Sequence, residues 1–106
     1  MAAQHQVLIV DDDAQLRTSF EKILKLEGYD TITASSGEAG IEAVALHKPD
    51  CVIMDVRLPG MDGLTAFSEI KKIAPRLPVI IMTAFGTTDI AIEATKLGAF
   101  DYMLKP

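Results

Sequence analysis

The chain has 106 residues, 49% apolar and 24% charged, with a formal net charge of -5. That length fits one globular domain with a single core, and the acid surplus argues against nucleic-acid binding, which rests on Lys and Arg neutralising phosphates. No apolar run approaches the ~20 residues of a membrane span, the N-terminal MAAQHQVLIVDDD carries no signal-peptide pattern, and the lone Cys51 in an apolar run can form no internal disulfide, so a cytoplasmic protein is expected.

Val7 to Val10 read as a first buried strand, followed at once by Asp11, Asp12 and Asp13. The period then changes. Leu16, Phe20, Ile23 and Leu24 recur at helical spacing, with Asp13 placed to cap the helix and Gly28 to stop it. Thr31 to Ala34 form a more polar strand suited to a sheet edge. A capping box from Ser35 to Glu38 opens a second helix bearing Ile41, Val44 and Ala45, closed before Pro49. Cys51 to Met54 run straight into Asp55, and Pro59 and Gly60 then break the pattern, as expected of a buried central strand in a parallel sheet. A third helix from about Leu64 turns Phe67, Ile70 and Ile73 inward. Val79 to Met82 make an uncharged fourth strand that ends at Thr83. Thr87, Thr88 and Asp89 start a helix with Ile90, Ala91, Ala94 and Leu97, stopped by Gly98. Phe100 to Leu104 form a fifth strand, suited to the other edge and ending at Lys105 and Pro106.

Strands alternating with helices imply an α/β fold: a doubly wound, five-stranded parallel sheet with right-handed crossovers, forming one domain over residues 1–106. Five strands against four helices leave one face short. The last helix, after Pro106, is therefore expected to be missing, leaving an exposed apolar strip that favours self-association.

Parallel strands share one carboxyl edge, so Asp11, Asp12, Asp55, Thr83 and Lys105 can meet over it. Three carboxylates within ~5 Å repel by about 3 kcal/mol per pair at an effective dielectric of 20. Protonation of one acid is one relief. A hard divalent cation is a better one, because Mg²⁺ takes one or two carboxylates and keeps water and phosphate oxygens around it. Acids, a metal, a lysine and a hydroxyl suit phosphoryl transfer, with Asp55 as the nucleophile that becomes an aspartyl phosphate. Taken singly, each residue has a plainer role: Asp55 a turn cap, Asp11 and Asp12 helix caps, Thr83 a strand-end hydroxyl, Lys105 a surface charge.

The segments LIVDDD, VIMDVRLPGMDG, VIIMTAFG and GAFDYMLKP occur in order over essentially the whole chain. Together they resemble the receiver domain of two-component response regulators. The resemblance implies a flavodoxin-like sheet in strand order 2-1-3-4-5, with the first and third strands adjacent. It implies Asp55 as phosphoacceptor, and Asp11 and Asp12 as Mg²⁺ ligands with Asp12 the direct one. The backbone carbonyl of Arg57 is the implied third ligand. Thr83 and Lys105 match the switch hydroxyl and the phosphate-binding lysine, and Tyr102 the aromatic residue whose rotamer follows Thr83. Arg57 and Phe85 stand where the family tunes phosphate lifetime.

The implied partners are a sensor histidine kinase as phosphoryl donor and an output domain or partner protein; the expected apolar strip adds a homodimer as a further candidate. Such a domain is a switch rather than an enzyme, catalysing only its own phosphorylation and dephosphorylation. Its signal leaves through the face of the fourth helix and fifth strand. The tail AFGTTDIAIEATKLGAFDYMLKP is most similar to receivers of NtrC-type regulators, which carry a sigma-54-activating ATPase and a DNA-binding domain. A stand-alone receiver acting on a protein partner is the alternative. Two other readings fit less well. A phosphatase of the haloacid-dehalogenase type needs an acid where Arg57 stands, and a flavodoxin-like cofactor binder needs a glycine- and hydroxyl-rich loop where three acids stand.

Overall fold

Strands and helices alternate as β1 (Gln6–Val10), α1 (Ala14–Leu26), β2 (Asp30–Ala34), α2 (Gly37–His47), β3 (Cys51–Asp55), α3 (Gly63–Ile73), β4 (Val79–Thr83) and β5 (Asp101–Leu104). The computed structural model describes residues 5–55, 58, 61, 63–83, 92–93 and 95–104, without the side chains of Thr83, Tyr102 and Leu104. All pairings are parallel, and the five strands lie in the order β2-β1-β3-β4-β5. The expected topology is therefore present, with polar, half-exposed β2 at one edge.

Each helix begins and ends where local chemistry dictates. Asp13 caps α1, its carboxylate accepting from the N–H groups of Gln15 at 2.9 Å and Leu16 at 3.2 Å. At the other end Gly28 takes φ +93°, a left-handed conformation open to glycine. There Gly28 N–H donates to Lys25 O and Tyr29 N–H to Leu24 O, the paired bonds of a Schellman cap. The start of α2 differs from expectation. Ser36, not Ser35, is its cap, with Ser36 Oγ accepting from Ala39 N–H at 3.1 Å. The helix begins one residue later, which takes Glu38 out of capping-box register.

Residues alternate along each strand between two cores. Leu8, Val10, Val52, Met54, Val79 and Ile81 face the side covered by α2 and α3, where Val44, Ala66, Phe67 and Ile70 are buried. Val7, Ile9, Ile53 and Met82 face the other side, with Phe20 and Leu24 of α1 against them. The second side is the more open. Cys51, Ile80 and Met103 there are only partly buried, whereas Val52, Val79 and Ile81 on the opposite face are wholly so.

Two glycines let α2 sit close. A Cβ on Gly40 would stand 3.0 Å from Val10 Cγ2, and one on Gly37 would stand 3.1 Å from Ala66 Cβ. Some residues expected to point inward do not. Ile23 and Ile73 are 58% and 51% exposed, because the buried stripe of α3 is Ala66, Phe67 and Ile70 and α1 buries no residue fully. Ala45 is exposed beside buried Val44.

Residues 92–93 and 95–96 are helical, and Leu97 N–H donates to Glu93 O. Gly98, at φ +115°, follows them as expected. Thr87 to Ala91 and Ala94, the rest of the expected fourth helix, lie outside the described residues. Among the described residues no helix is long and apolar enough to cross a membrane.

Candidate functional site

β1 and β3 are not consecutive in the chain, yet they are neighbours in the sheet, with Val10 opposite Met54. The residues next along, Asp11 and Asp55, stand at their carboxyl ends. β2 lies on the outer side of β1 and β4 beyond β3, so the strand order reverses between the two acids. A cleft at such a reversal is where open α/β sheets take ligands.

Both acids are buried, Asp11 at 0% and Asp55 at 4% exposure. Asp12 is exposed. One carboxylate oxygen from each of Asp11, Asp12 and Asp55 can be chosen so that all lie within 4.8 Å of one another. Two buried acids form the floor and one exposed acid the rim.

The loop that presents Asp11 and Asp12 is fixed at several points. Asp11 N–H donates to Ala34 O at 3.1 Å, extending the β1–β2 pairing past the strand end. Asp11 Oδ1 accepts from Asp13 N–H at 2.8 Å. Arg17, one turn into α1, reaches back and donates through Nη1 to the backbone carbonyl of Asp11 at 2.6 Å. Nothing in the sequence pattern singles out Arg17. Only the fold brings a helical side chain back over the loop that precedes it.

The donor set consists of carboxylate oxygens alone, with mutual repulsion of about 3 kcal/mol per pair in a protein-like dielectric and less at the wet rim. Hard oxygen donors at this spacing fit a hard divalent cation and offer no soft ligand. The residues present therefore suit Mg²⁺.

Of the residues expected at the site, the structure brings together Asp11, Asp12 and Asp55. Thr83 ends β4, its backbone paired with Leu104, while Asp55 pairs with Met82 one step earlier. Tyr102 lies in β5, paired with Ile81. The side chains of Thr83 and Tyr102, and all of Arg57, Phe85 and Lys105, lie outside the described residues. His5 is exposed and sits 3.7 Å from Asp50.

A family model for the response regulator receiver domain matches residues 7–106. Regulatory protein AtoC of Escherichia coli (strain K12) is 41% identical over 106 residues, covering 100% of this chain and 23% of its own. The DNA-binding transcriptional regulator NtrC of the same strain is 45% identical over 100 residues, covering 94% of this chain and 21% of its own. The chain thus spans between a fifth and a quarter of these relatives. A response regulator receiver domain protein from Clostridium thermocellum superposes with a TM-score of 0.92 at 36% identity, over 96% of this chain and 82% of that one.

Proposed function

Because this chain belongs to the response regulator receiver family, we propose that it is a switch set by phosphorylation of Asp55 and read by a transcriptional output domain. The observation that carries the reading is the cluster of Asp11, Asp12 and Asp55, two of them buried, at the strand-order reversal. Burying like charges side by side is unfavourable unless positive charge joins them. A site that binds a cation and then a phosphoryl group turns that repulsion into affinity.

Asp55 supplies the nucleophile. A carboxylate oxygen attacks the phosphorus of a phosphohistidine on a sensor histidine kinase, or of a small acyl phosphate. The new O–P bond forms as the P–N or P–O bond to the donor breaks, and the imidazole or carboxylate leaves. Asp11, Asp12, the Asp55 carboxylate and the Arg57 carbonyl are the groups that would hold Mg²⁺. When bound, the ion supplies positive charge to the phosphoryl oxygens. Lys105 adds a second cation, and the Thr83 hydroxyl donates to one phosphoryl oxygen.

The same contacts make the switch. Thr83 engages the phosphoryl group only when Asp55 carries it, and Tyr102 on neighbouring β5 follows Thr83. A ligand shifts an equilibrium only through contacts that differ between two states, and this contact differs. The altered surface, around β5 and the preceding helix, meets the output domain or a second receiver. The NtrC relative is a DNA-binding transcriptional regulator, which favours transcription as the output. Contact with DNA belongs to another part of such a protein, since this chain carries a net charge of -5. A cytoplasmic kinase domain is the matching donor.

Acetyl phosphate with MgCl₂ tests the reading. One hydroxylamine-sensitive phosphate should appear per chain, detected by intact mass, and Asp55→Asn should abolish it. An unchanged mass, or continuous release of phosphate as from a phosphatase, would overturn it.

A further inference from the structure

We propose that Arg17 is a positioning residue for the metal site, acting on Asp12 through the backbone of Asp11. The inference rests on the receiver reading and deepens it. Asp12 is the exposed member of the cluster, and its place at the rim depends on how the backbone presents it.

The peptide bond supplies the link. The carbonyl of Asp11 and the N–H of Asp12 belong to one rigid planar unit, so whatever fixes the carbonyl fixes the direction in which Asp12 departs. Arg17 Nη1 donates to that carbonyl at 2.6 Å, from a partly buried position. A short bond from a charged donor is stronger than a neutral one. The donor is well anchored, because Arg17 N–H donates to Asp13 O at 3.0 Å in the first turn of α1. The cap, the guanidinium and the acid pair thus form one closed structure: Asp13 starts the helix, the helix carries Arg17, and Arg17 returns to the peptide between Asp11 and Asp12.

The neighbouring contacts leave this task to Arg17. Asp11 N–H is held by Ala34 O, and Asp11 Oδ1 accepts from Asp13 N–H. Those bonds place the plane before Asp11 and its carboxylate. The plane after Asp11 is the one Arg17 holds. Groups that orient metal ligands from outside the coordination sphere typically change metal affinity by 10–100-fold when removed.

Charge and position predict opposite signs. If Arg17 acted only as a nearby cation, removing it would deepen the negative potential and tighten Mg²⁺ binding. If it positions Asp12, removing it loosens binding, and a single N–H donor should restore it.

Calorimetric titration with MgCl₂ distinguishes these on the whole chain, alongside a thermal melt. Arg17→Met should weaken Mg²⁺ about tenfold, and Arg17→Lys, which keeps one donor and the charge, should recover most of that affinity. The Asp12 amide signal in a nitrogen–proton spectrum should move in Arg17→Met and return in Arg17→Lys. Equal affinity in the parent and Arg17→Met, or tighter binding in the variant, would overturn the positioning role alone. Should Arg17→Met not fold, Arg17→Ala, which also lacks a donor, tests the same bond: parent-like affinity with an unmoved Asp12 signal overturns the role. A parent that binds no Mg²⁺ would instead bring down the receiver reading, and this inference with it.

Discussion

Asp13 and Asp11 are joined by a 2.8 Å hydrogen bond in which the backbone N–H of Asp13 donates to Oδ1 of Asp11. The side chain of Asp13 meanwhile accepts from Gln15 and Leu16 as the cap of α1. One residue therefore does two things with two different groups, and a side-chain substitution separates them. Asp13→Ala removes the cap but keeps the N–H. It should lower stability by about 1 kcal/mol, a fall in melting temperature of about 4–8 °C for a domain near this size. Mg²⁺ affinity should change little once the chain is folded, and titration well below the melting point checks this.

Asp12 contributes to the cluster at a cost to the metal-free fold. Asp12→Asn removes two like-charge interactions within 4.8 Å. The metal-free chain should gain on the order of 1 kcal/mol, the value for exposed charges near the water limit of the dielectric. The gain should shrink in high salt, where exposed charges are screened. Mg²⁺ should no longer raise the melting temperature of the variant, while stabilising the parent by about 2.7 kcal/mol at a hundred times its dissociation constant. Parallel melts with and without the ion measure both.

Gly40 and Val10 set how close α2 lies to the strand that carries the acids. A Cβ at Gly40 would already be 3.0 Å from Val10 Cγ2. Gly40→Leu should cost about 1–3 kcal/mol through overpacking. Because Val10 directly precedes Asp11, the strain is delivered to the site. Val10→Ala in the same chain should recover part of the loss, and urea midpoints of the two single variants and the double variant give the coupling.

Cys51 provides a pH-dependent signature. Burial raises its thiol pKa above the ordinary value, the hydrogen bond to the Val52 backbone partly opposes this, and the nearby Asp50 charge adds the smallest contribution, upward. The folded chain therefore holds this proton more tightly than the unfolded one. Below the unfolded value of about 8.5 the contribution to stability is complete, and it is lost as pH rises through the higher folded value. Cys51→Ala should flatten the alkaline decline in urea-unfolding stability. Alkylation of Cys51 at neutral pH should be slow in the native chain and fast in urea, because the thiolate is the reactive form.

The strands and the acid cluster were legible because each rests on strong local signals, whereas the strand order came with the family resemblance. Cys51 to Asp55 could hardly be anything but an interior strand with an acid at its end, and buried Val52, Ile53, Met54 and Asp55 bear that out. Helix details were less so. Ser35 and Ser36 are adjacent serines with equal capping chemistry, and the fold uses the second, which places Gly37 close to Ala66. Ile73 has the right spacing for the core, but α3 ends there, and among the described residues no element covers it. Arg17 left no trace in the periodicity, because its task depends on where a helix turns back over its own loop.

The pairing of β1 with β3 rather than with β2 alone also governs when the pocket can exist. A nascent chain leaving the ribosome carries Asp11 and Asp12 long before Asp55 emerges, and the floor is half built until β3 has docked. A half-synthesised molecule therefore holds only part of the acid cluster, and the site is completed by a strand made later in the chain.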